Sequence, residues 1–204
     1  NIIGAQYKYI KDNVCQKRFL KNTDRSNSLW MTPIEGSKAL FVTEDPLDAI
    51  AHSQLFPGAR YAYLCTGGTS TKAQREMIHS FSQKFKLPII LGNDDDLAGQ
   101  LENFKLAYHT ANIEYAINSK TQRVLLTVNG AEREWGKDEI VAALQAVMKQ
   151  RPNMILSIPW AKDWNDDLRS SKKSISLRIA ENMVRVQIET TKSEQRGMIA
   201  GKLP

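Results

Sequence analysis

Three groups of acidic and amide residues stand within a few residues after apolar runs, where side chains with chemistry to do are commonly displayed. Glu44 follows the run 39–43, Asp94, Asp95 and Asp96 follow the run 87–91, and Asp163, Asn165 and Asp166 follow the run 154–158. On an extended backbone, residues two apart point to one side, so Asp94 and Asp96 can present both carboxylates to one place while Asp95 points away. Such a pair suits a hard divalent cation, because magnesium takes one or two carboxylates together with waters and substrate phosphates. The same aspartates can also cap a helix beginning near Ala98 and favour its positive end. The two uses are compatible.

Other residues carry paired readings of the same kind. Asp48 lies one helical turn beyond Glu44, so it can face the same site or serve as a first-turn acid. Asp163, Asn165 and Asp166 can orient the metal ligands or add one, and Asp163 is also placed to cap a terminal helix. Gly67 and Gly68 either let the backbone approach a phosphate or make an ordinary strand-to-helix turn. Lys72 and Arg75 reach substrate phosphates or line a solvated helix face.

Several chemistries are disfavoured. His52, His79 and His109 are dispersed, with no H-x-x-x-H pattern and no serine-histidine elbow. Gly67-Gly68 is not followed by the G-K-[ST] of a phosphate-binding loop. Cys15 and Cys65 have neither C-x-x-C spacing nor nearby histidines, so they read as small apolar residues.

The elements that must hold these residues alternate. Residues 39–43 read as a strand, Pro46 opens a helix and Pro57-Gly58 ends it. A strand over 61–65 leads through Thr66-Gly67-Gly68 to a helix capped by Ser70 or Thr71, with Ala73, Met77, Ile78, Phe81 and Phe85 as its apolar stripe. The strand 87–91 and a helix over 98–110 follow. This alternation predicts an α/β fold with a mainly parallel sheet covered on both faces, whose ligands bind at the carboxyl ends of the strands.

Residues 112–135 interrupt the pattern with an inserted β-hairpin turning at Asn129-Gly130, to which 113–117 can add a strand. A helix over 137–149, a strand over 154–158 and the segment 162–168 complete the core. Residues 1–37 read as an N-terminal β-hairpin, turning at Asp12-Asn13, with a lead-in loop. Residues 169–204 read as a basic tail with a helix carrying Ile175, Ile179 and Met183.

The 204 residues carry a net charge of +6, with residues 1–40 at +4, residues 169–204 at +5 and the stretch between them at −3. An acidic centre between basic flanks suits cations held on carboxylates while lysine and arginine attract phosphates, or it is uneven solvated surface. No run of residues has the length and apolarity of a membrane span, and the start lacks the character of a signal peptide, so a cytoplasmic protein without a membrane partner is expected. The absence of Met at position 1 suggests a processed or excised form.

With these residues in place, a family resemblance can be stated. Phe41-Val-Thr-Glu-Asp-Pro-Leu-Asp-Ala-Ile50 resembles the first motif of the Toprim family, and Leu91-Gly-Asn-Asp-Asp-Asp-Leu-Ala-Gly99 resembles the second. Tyr63-Leu-Cys-Thr-Gly-Gly68 and Lys162-Asp-Trp-Asn-Asp-Asp-Leu168 are similar to segments of its primase-like branch, found in plasmid, conjugative-element and phage proteins. The four features span about residues 38–168 in the family's order. Asp45 departs from the pattern, standing where the family usually has glycine.

The resemblance implies a Toprim-like Rossmann-type core and magnesium-dependent nucleotidyl or phosphoryl transfer on nucleic acid, with manganese as a substitute cation. It implies Asp94 and Asp96 as metal ligands, and Glu44 as general acid or base or a further ligand. Lys162 joins Gly67, Gly68, Lys72 and Arg75 as a candidate phosphate contact. The partners implied are a single-stranded DNA template and nucleoside triphosphates, with zinc-binding, helicase or relaxase domains elsewhere in a longer protein. DNA strand cleavage, as in topoisomerases and Toprim nucleases, and a noncatalytic DNA-binding module are the alternatives.

Overall fold

The computed structural model describes residues 6–11 and 14–171. The expected turn at Asp12-Asn13 and the helix expected on Ile175, Ile179 and Met183 lie outside the described residues. β1 (Gln6–Lys11) and β2 (Val14–Phe19) pair antiparallel as a separate hairpin.

The main sheet has the order β10-β6-β4-β5-β3. Its four parallel members are β4 (Ala39–Thr43), β5 (Tyr61–Cys65), β6 (Ile89–Leu91) and β10 (Met154–Leu156). All five residues of β4 are buried, as a central strand covered on both faces requires. β3 (Trp30–Met31) adds an antiparallel edge on β5 within the stretch expected to be loop. Two exposed residues are too few for alternation to register in the sequence.

Alternation along the strands divides the core. Leu40, Val42, Ala62, Leu64, Ile89 and Leu91 face a large cluster that includes Ile78 of α2 (Lys72–Phe85), Leu101 and Phe104 of α3 (Leu97–Ala107), and Ile140 and Leu144 of α4 (Lys137–Gln150). Ala39, Phe41, Tyr63, Cys65 and Ile90 face a smaller one with Ala49 and Ala51 of α1 (Pro46–Leu55) and Trp164 of α5 (Trp164–Ser171). The molecule is therefore a mixed α/β fold, a mostly parallel sheet with helices on both faces.

The insertion is a three-stranded antiparallel meander of β7 (Ile113–Asn118), β8 (Arg123–Val128) and β9 (Ala131–Trp135), rather than a hairpin alone. Asn129 at φ +50° and Gly130 at φ +86° make its tight turn, the backbone that an Asn-Gly pair favours. Val124 and Leu126 are fully buried in the large cluster, so this sheet belongs to the core. Burying such side chains stabilises by about 1.5–3 kcal/mol each.

Candidate functional site

The chain leaves β4 into α1 on one face of the sheet and leaves the adjacent β6 into α3 on the other. Adjacent strands whose connections diverge in this way open a crevice at their carboxyl ends. Glu44 leaves β4 at that end, and Asn93 to Asp96 leave β6 beside it.

The second loop is built closely. Asp96 is the N-cap of α3, its Oδ1 accepting from Gly99 N at 2.9 Å. A Cβ on Gly99 would overlap the Asp94 backbone, and Gln100 Nε2 donates to Asp94 O at 3.1 Å. Asn93 is buried, its Nδ2 donating to Asn103 Oδ1 at 2.9 Å. Gly99→Ala is therefore expected to destabilise the fold by about 1–3 kcal/mol, the usual range for overpacking, as read from urea unfolding. A cost below about 0.5 kcal/mol would contradict the close approach of α3 to Asp94.

The third group arrives from the far end of the chain. Asp163 caps α5, its Oδ1 accepting from Asp166 N at 2.8 Å. Asn165 Nδ2 donates to Asp48 Oδ1 at 2.6 Å, joining α5 to α1. Trp164 is 3% exposed and donates from Nε1 to Gly92 O at 2.8 Å, which seats α5 against the root of the aspartate loop. The Lys162 carbonyl accepts from Asp95 N at 2.8 Å. Asp167 is buried, and its two oxygens accept from Trp160 N and Ala161 N, so the approach to α5 is held by its own carboxylate.

The electrostatics of the crevice reflect crowded carboxylates. Asp94 is pushed up from 3.8 to about 7, first by burial and then by the charges of Asp48, Asp163, Asp96 and Glu44. Asp48 is pushed up to about 6 by burial, then by Asp163 and Asp45, against the opposing bond from Asn165. Among the described residues, two lysines pair with this loop. Lys162 Nζ lies 3.4 Å from Asp96 Oδ2, and Lys137 Nζ lies 3.3 Å from Asp95 Oδ1 on the α4 side.

Among the described residues, no group of three or more histidine, cysteine, aspartate or glutamate side chains is arranged to hold a metal ion by itself. Glu44, Asp94 and Asp96 are thus not a preassembled cage. The donors still fit magnesium, which needs only one or two carboxylates when waters and substrate phosphates fill its remaining positions. Crowded carboxylates of raised pKa are also the electrostatic setting that a cation relieves.

The other sequence candidates divide. Asp166 is at the surface, 3.4 Å from Arg169. Lys72 is exposed in the first turn of α2, 3.9 Å from Glu76. Arg75 is buried, with Nη1 donating to Ser70 O at 2.9 Å, so its guanidinium serves the interior of the turn.

Gly67 and Gly68 both hold positive φ, and the Gly67 amide donates to Glu44 O at 2.8 Å. Phe19 and Arg25 occupy the space that a Cβ on either glycine would enter. The glycines therefore let the lead-in segment pack against the turn. Asp45 is the N-cap of α1, with Oδ1 accepting from Leu47 N at 2.9 Å.

Sequence reasoning missed Lys137, Trp164, Asn93 and Gln74. Gln74 Nε2 donates to Arg25 O, Ser28 O and Thr66 O, fastening the lead-in to the glycine turn. The signal available was Thr71-Lys-Ala-Gln74, a capping box that the structure forms.

Among the described residues, no helix is long and apolar enough to cross a membrane. No protein-family model, curated protein or solved structure matches the chain.

Proposed function

We propose that this chain is a Toprim-like nucleotidyl-transfer domain of the primase-like branch of mobile-element proteins, performing magnesium-dependent phosphoryl transfer on nucleic acid. The observation that carries the reading is the meeting of Glu44, Asp48, Asp94, Asp96 and Asp163 at the diverging ends of β4 and β6, where burial and mutual repulsion raise Asp94 to about 7. Asp94 and Asp96 hold the cation, with manganese as a substitute. When held there, the cation would supply charge neutralisation and positioning for the transferring phosphoryl group.

The remaining work falls to the chain's own residues. Glu44 moves a proton at the reacting hydroxyl or adds an oxygen ligand. Asn165 orients Asp48, and Asp163 fixes the start of α5, so the third acidic group keeps its place as substrate enters. The basic segments flanking the acidic centre favour a single-stranded DNA template and nucleoside triphosphates.

Calorimetric titration of magnesium and manganese into the native chain and into the Asp94→Asn, Asp96→Asn double variant tests the reading. Uptake by the native chain that disappears in the variant is the expected result. Equal uptake by both, or none by either, would overturn the cation site and favour a noncatalytic DNA-binding module.

A further inference from the structure

Among the described residues, Lys162 is the cation that pairs with Asp96, one of the two proposed metal ligands. Its carbonyl is fixed by Asp95 N at 2.8 Å, so the backbone of this residue is tied to the aspartate loop. Its side chain is 62% exposed, and its ammonium lies 3.4 Å from Asp96 Oδ2. Asp96 Oδ1 is already committed to the amide of Gly99. Both oxygens of Asp96 are therefore occupied, one by a backbone donor that α3 cannot release without fraying and one by a solvent-exposed ammonium.

We infer that Lys162 is an exchangeable counter-cation: it neutralises Asp96 until that carboxylate takes up a divalent cation, then turns its ammonium to a substrate phosphate. The inference rests on the cation site proposed above. The chemistry follows from the two groups involved. A lysine ammonium is a compact point charge on a flexible stem, able to change partners without moving its backbone. An ion pair this exposed is worth little, so it yields readily to a doubly charged ion. Once released, the ammonium stays tethered beside the aspartate loop by the Asp95 bond to its own carbonyl, within reach of a phosphate that would share the cation. Lys137, the other nearby cation, pairs with the Asp95 side chain and carbonyl and so does not compete for Asp96.

Two variants separate this role from a structural one, because the bond from Asp95 N to the residue-162 carbonyl survives any side-chain change. Manganese binding is measured by calorimetry on the native chain, Lys162→Met and Lys162→Arg. Inorganic tripolyphosphate binding is then measured at saturating manganese, and melting curves report folding.

Loss of the competing ammonium is expected to tighten manganese binding about fivefold in Lys162→Met and to leave Lys162→Arg near native. Tripolyphosphate binding is expected to weaken about tenfold in Lys162→Met and to be retained in Lys162→Arg. Manganese affinity that is unchanged or weaker in a folded Lys162→Met overturns the exchange, and unchanged tripolyphosphate binding overturns the phosphate contact. Manganese uptake by none of the three chains would instead mean that the cation site itself is wrong, and the inference would fall with it.

Discussion

In metal-free buffer, Asp94→Asn is expected to be more stable than the native chain by about 2 kcal/mol at pH 8 and equally stable at pH 4. Asp94 titrates near 7 in the folded protein against 3.8 for an ordinary aspartate, because burial and then Asp48, Asp163, Asp96 and Glu44 disfavour its charge. The folded state therefore binds this proton more tightly than the unfolded chain does. A carboxyl with a raised folded pKa favours folding below about pH 4, and that contribution is lost as pH rises through about 7.

At 1.36 kcal/mol per pH unit the full displacement would be worth about 4 kcal/mol. Asp94 is only partly buried, so solvent screening reduces this to about 2 kcal/mol. Asparagine does not titrate and escapes the loss.

Two histidines, His52 buried and His79 half-buried, act in the opposite direction in both proteins. Burial lowers His52 to about 3 and His79 to about 4, so each opposes folding as pH falls below the ordinary histidine range. Those contributions are common to both chains and cancel. Urea unfolding at half-unit pH intervals would give the curve, and a stability difference that stays flat from pH 4 to pH 8 would refute the crowded-carboxylate description. Saturating magnesium is expected to narrow or reverse the difference, since a ligand that binds only the folded native chain stabilises it by mass action.

Trp164→Ala is expected to have the largest effect on folding, about 3–5 kcal/mol, as is usual for deleting a buried aromatic. The indole packs edge-on to His52 with ring centroids 4.7 Å apart and to Phe41 at 5.9 Å, and its Nε1 satisfies the Gly92 carbonyl. Without it, α5 loses its main apolar contact with the sheet, and the Asn165 bond to Asp48 loses its support.

Trp164→Phe separates the two contributions. It keeps an aromatic ring in the cluster but leaves Gly92 O without its indole donor, at a cost of about 1–3 kcal/mol. Thermal and urea unfolding would supply both numbers. A cost below about 1 kcal/mol for the alanine variant would mean that α5 does not depend on this contact for its place.

By itself the sequence determined the local elements and their punctuation. The alternation of apolar runs with capped, periodic stretches marked out β4 through α3, and Asn129-Gly130 marked the tight turn, because strand burial, helix caps and positive-φ turns are each decided within a few neighbouring residues. It also placed Glu44 and the Asp94–Asp96 run at strand ends. It missed β3, too short to show a period, and it gave the insertion at 112–135 no place in the core, because alternation does not reveal what a sheet packs against.

Only the tertiary structure decided that β4 lies beside β6 with connections leaving to opposite faces, and hence that the two strand-end acids share one crevice. The bond from Asn165 to Asp48 joins residues 117 apart, and the Trp164 indole reaches a carbonyl 72 residues away. Asp45 as a cap, Arg75 turned inward and Gly67-Gly68 as a seat for Phe19 and Arg25 follow from the same cause. A local pattern states which side of a strand or helix is apolar; which partner covers that side is settled by long-range packing, where every buried polar group must find a donor or acceptor at the same time.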